Sequence, residues 1–396
     1  MNKLLESILE EIRFSYKKVS LMILFFIGIP VLTVWFGGTY YNEYVNDVPI
    51  AVLDEDNSSL SRTIIKYFDD SERFYISDYA SSREELQSLI DDKKAYMGLY
   101  IPNDLNKQVM TGKSTQVLIL TNGTNVVIGN NAYAGAAEII KTVSAGTEIK
   151  IIEAKGSLPK KSATDMALSF QFTDRMLYDS KLTYMNYLIY AFIAVFFQQL
   201  MLSGMATLIF RNPEKTAQEN TIIKIAAKII VAGISLMVAA SFTIYIIHIM
   251  FNVIFAANIK LAILISILFS IAISCPAILL CAITKDKTKF SQIAYMLSLP
   301  TFLTCGYVWP VDQMPDFLVR CVKIVWPLIY FARPFDEIMI KGLTFGAVRQ
   351  NIISLVLYII VFMPFSLFVF KKRFAVKESL NNTKSDETSL NGEINL

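Results

Sequence analysis

Histidine is almost missing from this 396-residue chain, which has only His248, and cysteine is limited to four residues. A lone histidine rules out a metal site built on paired imidazoles, and no Ser–His–acid or Cys–His set gathers around it in the sequence. It reads as a hydrogen-bonding residue within an apolar run or at its end. Cys275, Cys281, Cys305 and Cys321 form no CxxC pair and two fall mid-run, so they read as small packing residues. Cys305 and Cys321 stand where they could either pair or stay free. A nucleotide-binding loop is missing too. "TGKST", Thr111 to Thr115, has the tail of one, but Lys107 stands where the first glycine is required. Charge is also scarce, at 18% of residues, and the longest apolar runs hold almost none of it. That argues against an ion-coupled carrier, which keeps ionisable groups at membrane depth.

Apolar residues are abundant: 54% of the chain is hydrophobic and its mean hydropathy is +0.45, more than one soluble core can hide. Runs long enough to cross a bilayer occur at Val19 to Gly37, Tyr187 to Phe210, Ile225 to Phe251, Leu261 to Ile283, Phe290 to Val308 and Asn351 to Phe370. Six crossings follow. A polar lead and the lack of a small-x-small cleavage site make the first run a retained anchor rather than a removable signal. Lysine and arginine mark the side. Lys3, Arg13, Lys17 and Lys18, then Arg211, Lys215, Lys224 and Lys228, then Lys285, Lys287 and Lys289, and finally Lys371, Lys372 and Arg373 all fall on one face of a six-span chain, which the positive-inside rule makes cytoplasmic.

Residues 38–184 hold 15 basic and 20 acidic side chains, a net of −5, against +8 for the rest. An acidic soluble part excludes a nucleic-acid partner; the basic corners suit anionic lipid. A segment of that length needs its own fold. "VPIAVLD", "RFYISDY", "AYMGLYIP" and "STQVLILTNG" read as strands, with helices between them and a long helix from Asn125 to about Lys155. Ser81 and Ser82, three residues before Glu84 and Glu85, read as a capping box. In "DEDNSS", Asp54 and Asp56 could hold a cation or could simply end a strand and feed a helix N-terminus. The fold class is thus an α-helical polytopic membrane protein with six transmembrane helices and an inserted α/β extracytoplasmic domain. Its parts are a cytoplasmic amphipathic interfacial helix over 1–18, a first transmembrane helix over 19–37, the extracytoplasmic domain over 38–184, five transmembrane helices over 185–370, and a basic, disordered cytoplasmic tail over 371–396.

This order of parts, together with several local segments, resembles the membrane subunit of ABC transporters of the type-2 permease class, in the branch with a large external domain after the first span. The segments are "VPIAVLDEDNSSLSRTII", "MGLYIPNDLNKQVMTGKSTQVLILTNG", "DRMLYDSKLTYMNYLIYAF" and "GYVWPVDQMPDFLVRCVKIVWPLIYFARPFDEIMIKG". Pro310, Pro315, Pro327 and Gly342 with their flanking aromatics are the most specific piece of it.

The resemblance implies a plasma-membrane export permease that binds no cofactor itself. ATP and Mg would be bound by a separate ABC ATP-binding subunit, and the permease would pair with a second copy or a sister permease. It further implies that the loop between the second and third spans, with the amphipathic lead, docks that ATPase. Arg211, Glu214, Lys215, Thr216 and Glu219 are the coupling candidates. The family's loop commonly reads Glu-Arg-x-x-Gly-Thr; this chain keeps the charge and the threonine and lacks the glycine. By the same resemblance the second and fifth spans line the pathway, with Gln198, Gln199, Ser203, Ser291, Gln292 and Tyr295 as candidates. The competing reading is a membrane-anchored surface receptor or scaffold whose external domain binds a partner without transport. A membrane enzyme is disfavoured because no nucleophile, base or metal set is visible.

Overall fold

A computed structural model describes the chain except for residues 1, 42–44, 157–158, 169–174, 180–182, 219, 285 and 394–396. Glu219 and Lys285, both named from sequence, lie outside the described residues. The chain divides into two compact units, Met1–Tyr41 with Met176–Leu396, and Asn42–Arg175.

The chain begins with a lead helix, α1 (Asn2–Lys17), followed by α2 (Val19–Thr39), which contains a π-helical turn at Ile23–Ile27. Then comes the mixed unit: β1 (Val48–Asp54), α3 (Ser59–Asp69), β2 (Phe74–Tyr79), α4 (Arg83–Asp91), β3 (Met97–Ile101), α5 (Leu105–Met110), β4 (Leu118–Thr121), α6 (Val126–Gly156) and α7 (Lys160–Ala167). The four strands lie in the order β2-β1-β3-β4, with β1 parallel to both neighbours and β3 antiparallel to β4. Period-two alternation sends Val48, Ile50 and Val52 to one face with Ile64, Phe68, Ala132 and Ala136. Ala51 and Leu53 go to the other, with Leu86, Leu89 and Ile90 of α4. Gly98 on β3 is what lets α4 come so near: a Cβ there would stand 3.0 Å from Leu86.

The expected capping box is half formed: Ser82 caps α4, but the glutamate reaches back to the amide before the cap. Ser82 Oγ accepts from Glu85 N at 3.2 Å, and Ser81 N donates to Glu85 Oε2 at 2.7 Å. "DEDNSS" takes its structural alternative: Asp54 Oδ1 accepts from the amides of Asp56 and Asn57, Asp54 Oδ2 accepts from Ser61 Oγ at 2.7 Å, and Ser58 caps α3. "TGKST" follows α5 and leads into strand β4 rather than into a helix, so its amides cannot form a phosphate cradle at a helix start.

The remaining elements are helical: α8 (Tyr184–Phe210), α9 (Pro213–Gln218), α10 (Thr221–Phe251), α11 (Ile259–Ile283), α12 (Lys287–Thr304), α13 (Asp316–Val325), α14 (Ala332–Lys341) and α15 (Phe345–Glu393). In their unit, α8 is the most enclosed, and one apolar cluster runs from Phe25 through Ile189, Met201, Leu236, Phe269 and Leu355. Phe269 and Phe331 stack with ring centroids 4.0 Å apart and nearly parallel planes. His248 Nδ1 lies 2.8 Å from the Val253 carbonyl, at the end of α10, and all four cysteines are free. Gly342 closes α14 at φ +63°, where a Cβ would lie 2.5 Å from the Ala256 carbonyl.

Among the described residues five helices are long and apolar enough to cross a membrane: Val19–Thr39, Tyr184–Phe210, Thr221–Phe251, Ile259–Ile283 and Phe345–Phe374. The expected fifth run of the sequence, Phe290 to Val308, forms α12. That helix stops at Thr304, because Gly306 turns the chain at φ +84°, and its polar residues Lys287, Lys289, Ser291 and Gln292 leave it less apolar than the other five. The last helix continues to Glu393 where the sequence suggested a structureless tail. No proline interrupts Lys371 to Leu390, and the first glycine is Gly392.

Candidate functional site

The lead helix is amphipathic. Leu5, Leu9 and Tyr16 are exposed, as an interfacial helix requires. Glu11 is buried together with Ser15, four residues on and therefore on the same face. That face lies against α10.

Glu11 Oε1 meets Lys228 Nζ at 2.5 Å, and both side chains are almost fully enclosed. Lys228 also donates to the Leu208 carbonyl at 2.9 Å, near the end of α8. Arg211 completes the group: its Nη2 lies 2.9 Å from Glu10 Oε1 and 3.4 Å from Glu11 Oε1, while its guanidinium sits 4.2 Å above the Phe14 ring. Two acids from α1 and two bases from the α8 end and α10 thus neutralise one another. A buried charge is tolerated only when paired in this way.

The coupling candidates divide accordingly. Arg211 turns inward. Thr216, on α9, is buried and donates to the Asn212 carbonyl at 2.8 Å, so it holds the turn rather than facing outward. Lys215 is exposed and Glu214 half-buried; the Lys215 carbonyl accepts from Lys224 Nζ at 2.8 Å. Helix α9 also packs on α15, so this short polar helix touches the bundle's last member as well as α8 and α10.

The pathway candidates are not gathered in one place. Gln198 is buried and engaged: Trp326 Nε1 donates to its Oε1 at 2.7 Å, and its Nε2 donates to Thr301 Oγ1 at 3.3 Å. It braces α8 against α12 and the end of α13. The Gln199 amide is buried with no hydrogen-bond partner among the described residues. Ser203 and Ser291 are half-buried, and Gln292 and Tyr295 are exposed. An apolar cavity of about 200 Å³ among α8, α10, α11 and α14 is lined by Phe197, Met237, Phe335 and their neighbours and by none of the six candidates.

At the opposite end of α8, Tyr187 Oη donates to the Tyr307 carbonyl at 2.8 Å, and Tyr307 Oη reaches both the Tyr187 carbonyl and Asp336 Oδ1, the latter at 3.1 Å. Burial pushes the Asp336 carboxyl up to about 7, partly offset by the Tyr307 hydroxyl. Sequence reasoning missed this group, which no spacing announces. Lys228 had a signal: it is a charge inside the apolar run Ile225 to Phe251 and had to find a partner.

Helices of this length and apolarity, packed around one core, define a multi-pass membrane protein. Residues 19–368 match the ABC-2 family transporter protein, and the chain belongs to that family. It is similar to the probable multidrug ABC transporter permease YbhR of Escherichia coli strain K12, 19% identical over 319 residues that cover 78% of this chain and 82% of the relative. YbhR of Escherichia coli O157:H7 gives the same figures. The chain is therefore a membrane permease subunit of an ABC transporter, a role that implies an ABC ATP-binding partner.

Proposed function

We propose that this permease is the membrane half of an ATP-driven exporter, working as a dimer with itself or with a sister permease and powered by separate ATP-binding subunits. In this reading α12 makes a sixth crossing, both termini are cytoplasmic, and residues 38–184 lie outside the plasma membrane. The exposed Lys215 and half-buried Glu214 offer the ATPase its grip, with Glu219 beside them in sequence. Arg211 and Thr216 hold that corner in shape. The observation that carries the reading is the Glu11–Lys228–Arg211 cluster, which ties α1 to α8 and α10, so that a push on α1 or α9 reaches two long helices. ATP-driven closure would then open a path beside α8 and α12, where the unpartnered Gln199 amide supplies buried polarity. The likeness to YbhR, a probable multidrug permease, makes drugs the cargo class to test first.

The experiment is co-purification of the permease with its ABC ATP-binding subunit from native membranes. Glu214→Ala with Lys215→Ala is expected to lower recovery of the complex roughly tenfold, the loss of about 1.4 kcal/mol, and to leave the permease's thermal midpoint unchanged. Unaltered recovery would place the grip elsewhere than Glu214 and Lys215, and absence of any ATP-binding subunit from the native preparation would favour a surface scaffold.

A further inference from the structure

The mixed unit holds a cleft that the transport reading leaves unused. Ala132, Ala136 and Val143 seat the first half of α6 on the sheet. Beyond them α6, with α3, α5 and the Gly112–Val117 loop, encloses about 630 Å³, within the roughly 300–1,000 Å³ typical of small-molecule sites. Its floor is apolar: Ile64, Leu105, Val109, Val143 and Ile151. Its rim carries Lys113 and Lys155. Lys155 Nζ lies only 3.9 Å from where a Cβ on Gly112 would stand, one residue from Lys113, and both lysines line the same mouth. Among the described residues neither has a carboxylate partner. Glu148, the acid in the lining, sits two helical turns before Lys155, about 10 Å along the axis. This is the place of "TGKST", whose lysine therefore has a setting although its phosphate-loop geometry fails.

The charges select the occupant. A neutral alkyl compound would fill the floor and leave two cations unmatched in a segment that is otherwise net acidic. A free anion would match the cations and leave the apolar wall wet. An anion carrying an alkyl chain satisfies both. We propose that this cleft binds a single-chain amphiphile with a phosphate head, the head between Lys113 and Lys155 and the chain along Ile64, Val109 and Ile151. Ser144 offers a hydroxyl along the way. The assignment does not depend on the direction or the cargo of transport.

The test uses the full-length protein in phosphatidylcholine nanodiscs and a dodecyl phosphate bearing a terminal diazirine. After irradiation, peptide mapping is expected to find the label on the 105–109 and 140–152 segments. Unlabelled dodecyl phosphate should compete, and dodecanol and inorganic phosphate should not. Lys113→Glu with Lys155→Glu should cut cleft labelling roughly tenfold, and so should Ser144→Trp, which fills the cleft from its exposed lip. Both variants alter surface positions, and an unchanged melting profile confirms that each is folded. Label confined to the long apolar helices would overturn the proposal, as would equal displacement by dodecanol, displacement by inorganic phosphate alone, or indifference to the charge reversal. A Ser144→Trp protein that keeps its label and changes its oligomeric state would assign the cleft to a second copy of the chain instead.

Discussion

Asp336 shows how a single residue can carry a condition-dependent contact. Tyr307 has one hydroxyl proton and two acceptors in reach, the Tyr187 carbonyl and the Asp336 carboxyl. If Asp336 is protonated, the conflict disappears: the carboxyl donates to Tyr307 Oη, and Tyr307 donates to the Tyr187 carbonyl. Arg333, Glu337 and Lys341 are the charged groups nearest on its own helix, and the tyrosines face it from α8 and the end of α12. Because the folded-state pKa is raised to about 7, the favourable term is fully present near pH 4 and is lost as pH rises through 7. Its upper bound is on the order of 4 kcal/mol. Thermal midpoints at pH 5 and pH 8 should therefore differ more for the native protein than for Asp336→Asn, whose amide can donate as the neutral acid does. Equal slopes in the two proteins would show that the carboxyl is already ionised at pH 5. None of this was legible in "FARPFDEIMIKG", because the partners come from residues 29 and 149 positions away in sequence.

At the scale of elements, the Glu11–Lys228 pair decides how α1 is held. Removing one partner from a buried pair leaves an unmatched charge and costs about 3–5 kcal/mol, whereas an apolar pair of similar volume is often neutral or better. Lys228→Met alone should lower the thermal midpoint sharply and expose the 2–17 segment to protease. Adding Glu11→Leu should restore most of both, and a double variant as fragile as the single one would mean that the pair adds more than neutralisation. The helical period of α1 was plain in its apolar residues, yet the pattern could not say that one of its acids faces inward. That depended on Lys228 arriving from more than 200 residues away. The strands were easier, since alternation and turn residues are local signals, and β1 to β4 formed where such signals stood. The end of α12 depended on the backbone at Gly306, which composition does not reveal.

For the whole molecule, the proposed topology makes a direct prediction. Single cysteines placed at Ser81 and at Lys215, in a chain whose four native cysteines are replaced, should differ in intact cells. An impermeant maleimide should label the first and reach the second only after permeabilisation. The reverse pattern would invert the proposed orientation. The sequence by itself determined that the chain belongs in lipid, where its long apolar runs lie, and that a separately folded acidic segment interrupts them. Those properties are sums over neighbouring residues, and burial free energy follows such sums closely. Only the tertiary structure decided that Glu11, Arg211 and Lys228 neutralise one another, that Gln198 is a brace, and that Lys113 and Lys155 share a mouth. Each of those depends on directional contacts between residues remote in the chain, fixed when the helices pack and not before.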